Sequence, residues 1–284
     1  MALDFAFVPA IDEPSFEAGL TTALELVRHQ KGHLSACHLQ QHYPPNDIAF
    51  GYWQVGTLKA LEADVRARKE KLEAAFYSFC SERGIEVIDT ERLPNKNAVT
   101  ASWRVEGANP FEDFGLFARS SDVSVLCRSA TEPAPLAPVV WEDLVTSSGV
   151  PLLNVPVGAG FKEAQRILVG WNGSVEAKRA VAAAMPLLHA AKSVHLLSAG
   201  LTKDGRPSAE EMAAVLGRKG IKATAEDRDD KKEPDEQLVQ TAADGSYDLL
   251  VIGAYSKPRW REAMFGGVTH RMLVDPPLPV LLVH

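Results

Sequence analysis

Five short apolar segments recur in the same order in both halves of the chain, and this internal repeat limits the available folds more than any other feature. Residues 5–12 (FAFVPAID) and 166–172 (RILVGWN) each read as a strand that ends on Asp or Asn and runs into a helical pattern. Leu34–Leu39 and Val194–Leu197 read as second strands. Residues 82–87 (ERGIEV) and 218–223 (RKGIKA) read as a helix end followed by a third strand. Asp122–Cys127 and Asp248–Ile252 supply the fourth, and Gly149–Val155 and Pro277–Val283 the fifth. Short strands alternating with helices predict parallel sheets with right-handed crossovers and helices on both faces. At 284 residues the chain has room for two such units. We therefore expect an α/β architecture of two tandem doubly wound domains, each a five-stranded parallel sheet, over residues 1–158 and 164–284, joined at Gly158-Ala159-Gly160.

The helices between these strands are legible from period and caps. After the repeat's first strand, Phe16, Leu20, Leu24 and Val27 share a face over residues 14–29. In the second half Ser174 is placed to cap a helix, Glu176 suits its positive first turn, and Val175, Ala180, Val181, Ala184 and Leu188 form the stripe. Pro186 predicts a kink there. The first half carries an extra helix over residues 57–83, with Leu58, Leu61, Val65, Leu72, Phe76 and Phe79 on one side, which reads as core or domain interface. The charged stretch Glu226–Glu236 reads as a solvated loop and helix start. The last strands, Leu152–Val155 and Val280–Val283, would be sheet edges. Unpaired edges invite pairing, so the two domains should associate through them, with a homodimer as a further expectation.

Composition narrows the partners. The formal net charge is -7 and no strongly basic run appears, which argues against nucleic acid, where phosphate neutralisation supplies much of the affinity. Cys37, Cys80 and Cys127 lie far apart in apolar contexts with no CxxC pair, so they read as reduced, buried thiols rather than a disulfide framework or zinc site. His29, His33, His38 and His42 span a helix end and a strand, a poor arrangement for one convergent metal site. The first residues lack the pattern of a signal peptide, and no apolar run is long enough to span a membrane. We expect a cytoplasmic protein with no membrane partner and no tightly bound metal.

The chemistry-bearing segment is the last one. The apolar run Leu249–Ile252 stops at Gly253; a polar, basic loop follows; Gly266-Gly267 open a helix that ends before Pro276-Pro277; and Val280–Val283 closes the unit. Strand, glycine loop, helix, strand is a unit that presents backbone N–H groups to a phosphate. Other signatures are missing: there is no GxxxxGK[ST] loop, HExxH or GxSxG, and Gly158-Ala159-Gly160 lacks a third glycine and precedes a strand. No carboxylate pair at convincing spacing suggests acid–base catalysis.

The motif Gly253-x2-Ser256-x9-Gly266-Gly267, together with the strand end and capped helix before it, resembles the universal stress protein family. ATP-binding members carry Gly-x2-Gly-x9-Gly followed by Ser or Thr, and two copies in one chain resemble the tandem members. The resemblance implies an adenine nucleotide alpha hydrolase-like fold and an adenine nucleotide, ATP or AMP with magnesium, as ligand. Gly253 and Ser256 would line the loop after the fourth strand. Gly266, Gly267 and Thr269 would face the phosphates, and Asn172, with Trp171 beside it, would stand near adenine and ribose. The departures are Ser256 at the second glycine, Gly267 at the Ser/Thr position, and Asn172 where the family places an Asp. Lys257, Arg259 and Arg261 could compensate by attracting phosphate.

In the first half, residues 128–138 (RSATEPAPLAP) hold three prolines and Glu132, and no glycine occurs between Leu116 and Ser148. That loop is a poor anion cradle, so the first copy reads as a degenerate partner and Asp12 as a helix cap. The leading expectation is a stress-response protein, not an enzyme, that binds an adenine nucleotide in its second domain and acts through conformation or protein partners. The alternative is an interaction or dimerisation module that no longer binds nucleotide. A slow ATP hydrolase is the third reading, lacking a base or metal-binding carboxylate near the loop.

Overall fold

An aspartate holds the incoming backbone of the first strand in each half. Asp122 Oδ2 accepts from the N–H groups of Asp4 and Phe5, both at 3.0 Å. Asp248 Oδ2 does the same for Gln165 at 3.0 Å and Arg166 at 2.8 Å. Backbone donors at a strand's start need partners, and a carboxylate from the neighbouring strand supplies them. The two aspartates give a common origin for comparing the halves.

The computed structural model describes residues 3–40, 55–89, 97–107, 114–127, 137–156, 158–199, 205–228, 234–244, 247–255 and 268–284. In chain order the first half contains β1 (Phe5–Pro9), α1 (Glu13–Val27), β2 (His33–Gln40), α2 (Val55–Glu82), β3 (Glu86–Val87), β4 (Thr100–Gly107), α3 (Phe114–Ala118), β5 (Val123–Cys127), α4 (Ala137–Ser147) and β6 (Leu152–Val155). The second contains β7 (Arg166–Gly170), α5 (Val175–Ala183), α6 (Met185–Ala190), β8 (Ser193–Ala199), α7 (Ala209–Arg218), β9 (Ala223–Arg228), α8 (Pro234–Ala243), β10 (Leu249–Gly253), α9 (Val268–Val274) and β11 (Val280–Val283).

The described strands form one sheet in the order β3-β4-β2-β1-β5-β6-β11-β10-β7-β8-β9. Neighbours are parallel within each half. The sole reversal among them is β6 against β11, with Leu282 opposite Leu152, Leu281 opposite Leu153 and Val280 opposite Asn154. The association expected through the two last strands is thus made inside one chain. One core layer packs α1, α2, α5 and α7 on the sheet, around Phe16, Leu20, Phe76, Leu188 and Leu216. The other face carries α3, α4, α8 and α9, around Phe114, Leu144, Leu238 and Met272.

The first half has one strand more than expected. The predicted third strand at Ile85–Val87 is the two-residue β3 at the sheet edge. The strand that fills the third place beside β2 is β4, eight residues long. Its sequence, TASWRVEG, alternates: Ala101 and Trp103 join the α1/α2 layer, while Arg104 on the other face lies over the Phe117 ring, 5.6 Å from its centroid. A half-polar strand of this kind lacks the continuous apolar run that marks its buried neighbours. The helix boundaries follow local rules. Asp12 caps α1 by accepting the Ser15 N–H at 3.0 Å, and Pro186 marks a break, α5 ending at Ala183 and α6 starting at Met185. Among the described residues, no helix is long and apolar enough to cross a membrane.

Candidate functional site

In an open parallel sheet, ligands settle outside the carboxyl ends of the strands where the order reverses, which here means between β7 and β10 in the second half and between β1 and β5 in the first. Counting from the two aspartates, Gly253 and Cys127 are both the fifth residue onward and stand at equivalent places beside these crevices. Their surroundings differ. A Cβ at Gly253 would lie 2.4 Å from Ala177 N and 2.5 Å from Glu176 C, so the first turn of α5 sits directly on bare backbone. Cys127 fills the matching place with a side chain whose Sγ lies 3.5 Å from Thr22 Oγ1 of α1. Burial pushes that thiol up to about 11.

The loop after β7 is built tightly. Asn172 Oδ1 accepts the Ser174 N–H at 3.1 Å, and Ser174 Oγ accepts the Ala177 N–H at 3.1 Å, so a side-chain turn hands the chain to the capped helix. Gly173 has φ +66°, and a Cβ there would lie 2.7 Å from Arg206 Cβ. Trp171 is buried at 3% exposure and its Nε1 donates to Pro207 O at 2.8 Å. Gly173 and Trp171 together press the residues ahead of α7 onto the β7–α5 loop. Trp171 belongs to the α5/α7 core layer; its contribution is to the wall of the crevice. Its equivalent in the first half is Ala10, as Ala10 N–H bonds Cys37 O where Trp171 N–H bonds Leu197 O. The first half instead has Trp103, at the place of Ala225, packed against Phe16 and Phe76 and stacked on His38.

After β10 the chain makes a constrained turn. Ala254 N–H donates to Val283 O at 2.8 Å. Tyr255 takes φ +57°, the left-handed region, and its N–H donates to Thr269 Oγ1 at 3.2 Å. Thr269 is 3% exposed, so its hydroxyl ties α9 to this turn. His284 Nδ1 lies 3.1 Å from Ala254 O, and its ring meets that of Tyr255 edge-on at 6.0 Å. Of the residues singled out in the sequence, the structure gathers Gly253 and Thr269 at this turn and Asn172 and Trp171 at the neighbouring loop. Ser256, Gly266 and Gly267 lie outside the described residues. Sequence reasoning missed Gly173, Pro207, Tyr255 and His284: a positive φ at Gly173 was readable from its letter, but the others act through partners distant in sequence.

Among the described residues, several titratable groups away from the crevice bind other parts of the fold. His33 and His38, two of the histidines in the discarded metal set, have protein partners: His33 sits between Thr100 Oγ1 at 2.8 Å and Ser102 Oγ at 2.9 Å, and His38 Nδ1 donates to Ala10 O at 2.9 Å. Burial lowers the His33 imidazole to about 4 and depresses that of His38. On β4 and β9, which hold equivalent places beside β2 and β8, the halves share an ion pair with its order reversed: Arg104–Glu106 at 3.5 Å and Arg228–Glu226 at 2.6 Å. The Arg228 hydrogen bond holds the Glu226 carboxyl below its usual range.

Residues 163–284 match the model of the universal stress protein family. No curated protein sequence matches the chain. Among solved structures the chain is similar to a universal stress protein from Archaeoglobus fulgidus, at 14% identity and TM-score 0.65, covering 99% of this chain and 96% of that one. It is likewise similar to a functionally unknown protein from Pseudomonas aeruginosa, at 14% identity and TM-score 0.55, covering 99% and 92%. Both alignments run through the two halves and the seam between them. From residue 163 onward the chain is therefore a domain of the universal stress protein family, and its amino-terminal half completes a tandem α/β fold shared with those structures.

Proposed function

We propose that this protein binds one adenine nucleotide, ATP or AMP, in the crevice between β7 and β10, and that occupancy acts through conformation and protein partners in a cytoplasmic stress response. In this reading residues 1–158 form a partner domain and residues 164–284 the binding domain. The observation that carries it is the contrast at the fifth residue after each aspartate. Gly253 lets the first turn of α5 close onto the end of β10 beside the second crevice, in the half that matches the family, while Cys127 puts a side chain between β5 and α1 beside the first. Glycine there permits close backbone approach. Asn172 and the first turn of α5 stand at one wall of the crevice and Thr269 at the other side of the β10 turn, so the ribose would lie toward Asn172 and the phosphates toward Thr269. Magnesium would accompany the phosphates as part of the ligand, with no resident metal.

The test is to denature freshly purified protein, identify released nucleotide by mass spectrometry, and titrate the emptied protein with ATP and magnesium. One nucleotide per chain, lost in Gly266→Val with folding intact, is the expected result. No binding at millimolar ATP would leave the alternative, an interaction module built on the same fold.

A further inference from the structure

We propose that Tyr255 and His284 form a latch that holds the turn after β10 in the shape required by the phosphate end of the ligand. The proposal rests on the nucleotide reading above and adds two residues to it. Tyr255 is a bulky residue at φ +57°, where Cβ crowds the backbone and glycine would be favoured. Such a conformation persists only where the surroundings over-determine it, and it concentrates at ligand-binding turns.

The surroundings here are specific. On one side, Tyr255 N–H is bonded to Thr269 Oγ1. A hydroxyl that accepts with its oxygen keeps its own proton to donate, so Thr269 is left oriented as a donor at the turn. On the other side, the preceding residue is held at both its backbone groups by the end of β11 and the residue after it, through Ala254 N–H to Val283 O and through His284 Nδ1 to Ala254 O. A carbonyl only accepts, so His284 Nδ1 carries the hydrogen and the tautomer is set. The edge-on packing of the two rings, 84° apart in plane, then links Tyr255 to the same imidazole. His284 is itself exposed, and its bond to Ala254 O holds the backbone that leads into Tyr255, which is partly buried against the core layer of α9.

Two opposed readouts separate this role from ordinary stabilisation. Tyr255→Gly relieves the backbone strain but gives up the packing of the ring on the core and on His284, so its melting temperature should change little while it binds ATP about tenfold more weakly. His284→Ala should lose about as much, and His284→Asn, whose amide N–H can reach Ala254 O, should recover most of it. Adenosine, which has no phosphate, should bind all variants within about twofold of the parent chain. Unchanged ATP affinity in Tyr255→Gly, or adenosine affinity falling in parallel with ATP, would overturn the latch. If the parent chain binds no adenine nucleotide, the nucleotide reading fails by itself. The latch is then judged by the His284 imidazole nitrogen spectrum of the free protein, where the Nδ1–H tautomer must dominate in the parent and give way in Tyr255→Gly; a parent spectrum dominated by Nε2–H refutes it.

Discussion

Leu153 and Leu281 face each other across the β6–β11 seam and are equivalent residues of the two halves. Leu153 pairs with Val125 and Leu281 with Val251, each valine being the third residue after its aspartate. The pair therefore lies on an approximate two-fold axis, flanked by Leu152 opposite Leu282 and Asn154 opposite Val280. Asn154 breaks the symmetry, because its equivalent is Leu282. Its Nδ2 donates to Met272 O at 3.0 Å and Leu273 O at 3.1 Å, so the first half caps the last turn of α9.

Both leucines are essentially inaccessible, at 0% and 1%. Leu153→Ala and Leu281→Ala should each cost about 2–5 kcal/mol. Because the side chains share one site, the double variant should lose less than the sum, with a coupling of about 0.5–3 kcal/mol. Urea titration of the four proteins measures this, and strict additivity would count against the axis.

Gly253→Ala should destabilise the second half by about 1–3 kcal/mol, since the new methyl must displace the first turn of α5. The same variant should also lose ATP binding. An unchanged urea midpoint would mean that α5 yields without cost.

His33 predicts a dependence of stability on pH. Its imidazole ionises near 6.5 when unfolded and near 4 when folded, because burial disfavours the cation. Below 6.5 the unfolded chain binds the extra proton, so this contribution is complete above that pH and is lost as pH falls toward 4. The loss reaches about 3 kcal/mol at full extent. Compared with the parent chain, His33→Asn should flatten the curve of urea midpoint against pH between 7 and about 4.5; parallel curves would refute the assignment.

The three thiols should be silent in the native state. Burial raises Cys37 to about 12 and Cys80 and Cys127 to about 11, so almost no thiolate exists near neutrality. A disulfide reagent at pH 8 should label none of them until denaturant is added. Rapid labelling of one thiol would expose a local opening.

The parts of this architecture read from the sequence were those with a local cause. Buried parallel strands announce themselves as apolar runs, Asp12 and Ser174 as caps, and Pro186 as a helix break. β4 escaped because Thr100, Ser102, Arg104 and Glu106 interrupt its apolar positions. Asp248 resembles a turn residue in isolation; its role depends on Gln165 and Arg166, more than 80 residues away. Trp171 sits beside the expected crevice in sequence, yet strand alternation sends its ring into the same layer as Val169. The left-handed turn at Tyr255 has no letter that signals it, since glycine is the usual one.

Carrying both strands of the seam on one polypeptide changes what can evolve on either side of it. In a dimer of identical subunits every substitution appears twice, so a residue needed at one crevice is imposed on the other. Here the partner surface is always present at the effective concentration set by the tether, whatever the protein's abundance. The two halves are also free to differ: Cys127 stands where the second half has Gly253, and Asn154 where it has Leu282, without either residue being imposed across the axis. The seam thus holds together two halves that no longer have to stay alike.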